Sequence, residues 1–224
     1  MTRKITDLTL TLYDGMRGLE TEPRTLFADT GYNTTTLHLY SHAGTHMDAP
    51  LHFVPDGDTI DHVDLHVCIG PAEVIDVSHK EPNSRISVED LAAHDERLYP
   101  GARLLLRTDW HKHAEMEDYR SHMPRISAEL AHFLVERRIA LLGVETPSVA
   151  SLREGCGAEL TQVHQILLKG GVTIVESLAH LDALTQDTVH LTVLPLKIRG
   201  CDGAPVRAVA IEASHPVQRD RGSR

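Results

Sequence analysis

Aromatic residues make up only 4% of this 224-residue chain, and cysteine occurs three times, at Cys68, Cys156 and Cys201. An odd, widely spaced trio with no Cys-x-x-Cys pair excludes a disulfide framework and makes the cytoplasm the expected compartment. The three are read as small buried apolar residues. Basic residues are also scarce: 22 Lys and Arg stand against 32 Asp and Glu, for a net charge of −10 with histidine neutral. That balance argues against a nucleic-acid partner held on a broad basic surface. No window approaches the roughly eighteen apolar residues of a membrane span, and Met1–Asp7 lacks the apolar stretch of a signal peptide. There is no P-loop, dinucleotide-binding fingerprint, internal repeat, low-complexity tract or linker. A small molecule is therefore the expected partner.

What is present is an ordinary globular composition, 41% hydrophobic and 24% charged, long enough to bury a substantial core. Residues 4–12 alternate apolar and polar as a half-buried strand does. Further strands are predicted over 34–41, 72–77, 102–108, 139–144, 172–176, 188–196 and 205–211. Ser87 caps a predicted short helix over 87–94, with Glu89 and Asp90 in its first turn. Longer helices are predicted over 127–138 and 157–169, the second stopped by Gly170-Gly171. Strands outnumber helices without strict alternation, which favours a mixed α/β or α+β domain over a doubly wound parallel sheet. Residues 214–224 are polar and read as a flexible tail.

Against this background one segment stands out: Ser41-His-Ala-Gly-Thr-His-Met-Asp-Ala-Pro-Leu-His-Phe53. The chain holds 16 histidines, so some clustering arises by chance. Here, however, His42, His46 and Asp48 supply two imidazoles and a carboxylate, a common ligand set for catalytic zinc or a similar divalent metal. His52 follows, spare for proton transfer. All four fall at even positions, yet an extended strand cannot bring them to one ion. His42 and His46 would lie roughly 13 Å apart at strand rise, against the few ångströms that ligands of one metal span. The segment must curl, and Gly44 and Pro50 stand where it can turn.

A second pair is less decisive. His164 lies on the apolar face of its predicted helix, four residues from Leu160 and from Leu168, and Glu176 ends the strand that follows. Taken alone the pair reads first as a buried histidine hydrogen-bonded to a carboxylate for packing; the first cluster alters that balance, because a second metal would need ligands of this kind. Trp110-His-Lys-His113 reads as a solvated loop, Gly200-Cys-Asp-Gly203 as a turn, and His38 as second to the site or merely surface. Phe27, Tyr32 and Phe53 are the few aromatics near the motif able to stack on a planar substrate.

The run from His42 to His52 resembles the signature of the cyclase-like metal-dependent hydrolases, the family of bacterial kynurenine formamidase and isatin hydrolase. Leu104–Thr108, Leu142–Val149, Leu194–Lys197 and Ala204–Val209 resemble further family segments. The resemblance implies a swivelling β/β/α-type fold with a β-barrel-like central sheet. It also implies a single hydrolase domain over 1–213, assembled as a homodimer or homotetramer. It implies a metal at His42, His46 and Asp48, with Asp48 bridging to a second metal held by His164 and Glu176, and His52 as the catalytic residue. Glu145 stands where the family usually has Asp, and Ala150 where an Asp is common. The implied activity is hydrolysis of a formamide or cyclic amide by water activated on one or two ions, with zinc or manganese suited to nitrogen and oxygen donors. The alternatives are a lactone or ester hydrolase or cyclase of the same family, a non-haem iron oxygenase built on the His-His-carboxylate triad, and a metal-binding module without catalysis.

Overall fold

The computed structural model describes residues 3–213. The strands in chain order are β1 (Lys4–Asp7), β2 (Leu19–Thr25), β3 (Thr34–Leu39), β4 (His46–Asp48), β5 (Ile69–Asp76) and β6 (Arg85–Ile86). They continue as β7 (Arg103–Arg107), β8 (Arg125–Ile126), β9 (Leu141–Val144), β10 (Thr173–Glu176), β11 (Thr188–Pro195) and β12 (Gly203–Glu212). β12, β11, β5, β7, β9, β10 and β4 follow one another in the sheet, and β4 pairs again with β12, closing a seven-stranded ring. β5, β7, β9 and β10 run parallel, while β4, β11 and β12 close the ring by antiparallel pairing. The expected mixed α/β fold with a barrel-like sheet is what forms.

The apolar runs explain the two layers. Side chains alternate along a strand, so Leu104 and Leu106 on β7 face the helices while Leu105 points into the barrel. All three are fully buried, as expected of a parallel strand covered on both faces. Replacing any of them by alanine costs about 2–5 kcal/mol. Outside the ring, Leu130 and Leu134 of the helix Ala128–Glu136 and Val163 and Leu167 of the helix Gly157–Lys169 complete the outer core. These two helices approach closely because Gly170 lacks a side chain; a Cβ there would meet Val135 Cγ2 at 2.3 Å.

Three segments depart from the sequence expectations for local reasons. The strand predicted over 4–12 pairs with β12 only as far as Asp7, beyond which the Asp7 carboxylate accepts the Thr9 N–H at 3.2 Å. That local bond competes with the ladder, and Thr9 makes only an isolated bridge to Leu178. The helix predicted over 87–94 is one turn, Val88–Leu91, continued to Arg97 as a 3₁₀ segment broken at His94. Trp110–His113 is a 3₁₀ turn with Trp110 and His111 buried rather than a solvated loop. Of the cysteines only Cys68 is buried, Cys156 and Cys201 being partly exposed. The tail read over 214–224 lies outside the described residues.

β2 and β3 pair only with each other, forming a hairpin that carries Leu26, Phe27, Tyr32 and Leu37, each more than half exposed. Among the described residues no helix is long and apolar enough to cross a membrane.

Candidate metal centre

β4 is three residues long and pairs with both β10 and β12, with His46 opposite Glu176 on one side and Pro205 on the other. Strand alternation sends Met47 into the barrel and leaves His46 and Asp48 together on the outer face. The predicted curl is supplied before and after this strand. Gly44 takes a left-handed φ of 57°, which folds His42 back until its Nδ1 lies 3.0 Å from Asp48 Oδ1. Pro50–His52 then forms a 3₁₀ turn, and His52 stacks on His42 with ring centres 3.9 Å apart.

The tautomers of two histidines follow from backbone carbonyls. His46 Nδ1 donates to Gly44 O at 2.8 Å, so its Nε2 faces Glu176 Oε2 at 3.3 Å and Asp48 Oδ1 at 3.6 Å. His164 Nδ1 donates to Leu160 O at 2.8 Å, leaving Nε2 3.2 Å from Glu176 Oε1 and 3.8 Å from Asp48 Oδ2. Orientation of a ligating imidazole through its other nitrogen is the arrangement metal sites use. The structure thus brings His42, His46, Asp48, His52, His164 and Glu176 together.

Burial works against charge here and the carboxylates work for it. His42 is desolvated, yet the Asp48 and Asp202 carboxylates on its two nitrogens hold its pKa up at about 9. His46 and His164 are raised likewise, against burial, by Glu176 and Asp48. Glu176, despite its burial, is held well below the usual carboxylate range by His164 and His46. His52 goes the other way: burial pushes it down, the neighbouring His42 and His164 adding to the effect while Asp48 opposes it.

Asp48 Oδ2 is buried and has no hydrogen-bond partner. An orphaned carboxylate oxygen in a dry site is costly; His164 Nε2 lies 3.8 Å from it, while Asp48 Oδ1 faces His42 and His46. This donor set of nitrogen and oxygen atoms fits a divalent cation, and His46, Asp48 and Glu176 hold one ligand atom each within 4.8 Å of one another. The same spacing holds for His42, Asp48 and His52.

Two cavities meet at these residues. One of about 170 Å³ is lined by His42, His46, His52, Phe53, His164 and Glu176. A larger one of about 640 Å³ opens on His42 and His46 from the side of Met16, His111 and Tyr119. Phe53 is stacked on His164 at 4.3 Å and lines the smaller cavity. Phe27 and Tyr32 sit exposed on the β2–β3 hairpin and line neither cavity, so within one chain they are not substrate contacts. His38 is likewise exposed on that hairpin, 3.8 Å from Glu22.

Two residues at the site carry no sequence signal. Asp202, in the turn ahead of β12, lies with Oδ2 2.9 Å from His42 Nε2 and 3.4 Å from His52 Nδ1. His111 packs its Nδ1 2.8 Å from Glu145 Oε1. Glu145 is fully buried and accepts the N–H groups of Thr108, Asp109 and Leu181, which gives the longer carboxylate at this position a structural task. Ala150 is simply buried in the outer core. His111, His180 and Asp182 also converge, but Lys112 Nζ, 3.0 Å from Asp182, already supplies positive charge there.

Comparison with known proteins finds relatives in sequence and in fold. The family model for putative cyclases matches residues 6–151. The kynurenine formamidase of Bacillus cereus is 40% identical over 177 residues, 79% of each chain. That of Bacillus mycoides is 39% identical over the same shares. Among solved structures, isatin hydrolase A from Labrenzia aggregata bound to benzyl benzoate superposes with a TM-score of 0.81 at 27% identity. That match covers 95% of this chain and 94% of the other. A protein described as a potential metal-dependent hydrolase with cyclase activity gives a TM-score of 0.79 at 25% identity, covering 96% and 100%.

Proposed function

Because the chain belongs to the cyclase family, whose relatives named above include formamidases and isatin hydrolases, we propose that it hydrolyses the C–N bond of a formamide or cyclic amide. The observation that carries this reading is Asp48, a buried carboxylate with one oxygen unpartnered amid His42, His46 and His164. His42, His46, Asp48, His164 and Glu176 would hold the metal, zinc or manganese at two ions per chain. Such an ion lowers the pKa of a water toward neutrality and polarises a carbonyl.

The chain's own residues supply the rest. His52 reaches the cavity partly exposed, and its burial favours the neutral ring, the form able to accept a proton. Passing that proton on to the leaving nitrogen completes the cycle. Asp202, against His42 Nε2, fixes which nitrogen of His42 faces Asp48. Phe53 offers a flat apolar wall beside His164 for the acyl or aryl part of the substrate. Glu176 adds a second carboxylate beside His46, which a facial-triad oxygenase does not need.

In this reading the enzyme works as a homodimer or homotetramer in the cytoplasm, on a small molecule and without nucleic acid or membrane. The exposed apolar hairpin supports assembly, since a two-stranded hairpin alone is marginally stable in water. Incubating metal-loaded protein with an aryl formamide should release formate and the amine in equal amounts. A chelator should abolish this, and zinc or manganese should restore it. No turnover of formamides, lactams, lactones or esters by the loaded protein would refute the hydrolase reading.

A further inference from the structure

His111, His180 and Asp182 offer one ligand atom each within 4.8 Å of one another, and none of the three belongs to the centre at Asp48. The turn Trp110–His113 carries His111, while the loop after β10 carries His180 and leads into the 3₁₀ turn Leu181–Ala183 that carries Asp182. The His111 side chain is only 7% exposed, yet neither of its ring nitrogens completes a hydrogen bond among the described residues. Nδ1 lies 2.8 Å from Glu145 Oε1 but out of line for a hydrogen bond. Nε2, on the other side of the ring, is 3.7 Å from Asp182 Oδ1, too far for a direct bond. Two atoms that each ligate a tetrahedral ion at about 2 Å stand about 3.3 Å apart, so this gap is close to ligand spacing. His180 holds a positive φ of 59°, uncommon for a residue with a side chain. Its ring stands edge-on to His111 with centres 5.1 Å apart, and its nitrogens have no hydrogen-bond or ion-pair partner among the described residues.

We propose that His111, His180 and Asp182 form an additional divalent-cation site, of the zinc class, in the wall of the larger cavity. Two imidazoles and a carboxylate are a zinc ligand set. Glu145 stands behind His111 as the carboxylate that a ligating histidine carries on its other nitrogen. Lys112 does not close the site. Its half-exposed ammonium takes Asp182 Oδ2 at 3.0 Å and Asp109 Oδ2 at 2.8 Å, and Asp182 Oδ1 is left over. That charge weakens the site without filling it. His111 and His180 line the larger cavity, so the fourth position of a tetrahedral ion opens on it. The ion clasps the Trp110–His113 turn to the loop after β10, two segments far apart in sequence that both wall this cavity. The site stands apart from the hydrolase reading, since it uses none of that centre's ligands.

Trp110, the only tryptophan of the chain, adjoins His111 and reports on the site. Protein loaded with zinc and dialysed free of the excess is titrated with cobalt(II), which quenches a nearby indole and does not outcompete zinc at nitrogen and oxygen ligands. Quenching should saturate. His180→Ala and Asp182→Asn, both at exposed positions, should weaken the cobalt affinity by more than about tenfold, since losing a ligand costs no less than losing the partner behind one. His190→Ala, at an exposed histidine on β11, should leave it unchanged. Lys112→Met should tighten it by up to about fivefold, the range of an exposed ion pair. Equilibrium dialysis against micromolar zinc should show one ion fewer in His180→Ala than in the native chain. Absence of saturable quenching, or quenching and zinc content equal in the native protein and both ligand variants, would overturn the site while leaving the centre at Asp48 standing. Equal weakening by His190→Ala would also overturn it, by reducing the binding to scattered surface histidines.

Discussion

His42 and Asp202 lie 160 positions apart in sequence, yet His42 Nε2 stands 2.9 Å from Asp202 Oδ2. The contact exists because β12 pairs with β4, with Gly203 opposite Asp48. Asp202→Ala should leave the fold intact and weaken metal binding about 10- to 100-fold, the usual effect of removing a partner behind a ligating histidine. Competition with a metal indicator checks this; unchanged affinity would show that Asp202 plays no part in orienting the ligand.

His52 should matter for turnover rather than for metal retention. His52→Ala is expected to lower kcat by about 10²- to 10⁴-fold with metal content near native. An activated ester, whose leaving group needs no proton, should lose less. Loss of metal in the variant would instead make His52 a ligand, as its closeness to His42 and Asp48 allows.

Metal analysis after dialysis should find about two ions per chain, the number that His42, His46, Asp48, His164 and Glu176 would accommodate together. His164→Ala should keep one ion and His42→Ala should disturb the other. A single ion unaffected by His164→Ala would remove the dinuclear arrangement. Chelation should lower Tm, because an ion bound only by the folded chain stabilises it by mass action.

Acid should weaken the edge of the barrel through Glu212. This buried carboxylate pairs with Lys4 Nζ at 2.7 Å and accepts the Thr185 N–H at 2.7 Å. Against burial, which acts to raise it, these partners hold its pKa down at about 2 from an ordinary 4.5. A folded pKa below the unfolded one means the stabilisation is complete above pH 4.5 and drains away as pH falls toward 2. Glu212→Gln should therefore cost about 1–3 kcal/mol at pH 7 and clearly less at pH 3, read from urea midpoints. An equal difference at both pH values would contradict the assignment.

The hairpin predicts assembly. Phe27 and Leu26 are too exposed to be at rest in water, so the native protein should sediment as a dimer or larger at micromolar concentration. Phe27→Ser with Leu26→Ser should shift it toward monomer. A native monomer with full activity would remove the oligomer from the mechanism.

Sequence order made the first candidate cluster legible because its members are local: His42, His46, Asp48 and His52 need only one turn on each side of a short strand. The helix Gly157–Lys169 was equally plain, since Val163, Leu167 and Leu168 repeat at helical spacing and a diglycine ends it. His164 and Glu176 were harder; their meeting depends on a helix returning into β10, which spacing alone leaves open to a packing role. Asp202 and the pairing of His111 with Glu145 were out of reach, because only ring closure and loop packing bring those residues in. Phe27 and Tyr32 are near the motif in sequence, but within one chain the hairpin carries them away from both cavities.

β4 is both the last joint of the barrel and the bearer of His46 and Asp48. Its three residues span the gap between β10 and β12, so the ring cannot shut unless His46 faces Glu176. A slip of one residue would turn Met47 outward and both ligands inward, since strand side chains alternate. Register errors during folding would thus be chemically silent: a misthreaded chain presents a thioether where an ion expects imidazole and carboxylate. An ion held by these residues would therefore stabilise the barrel closed in the right frame and not the slipped one.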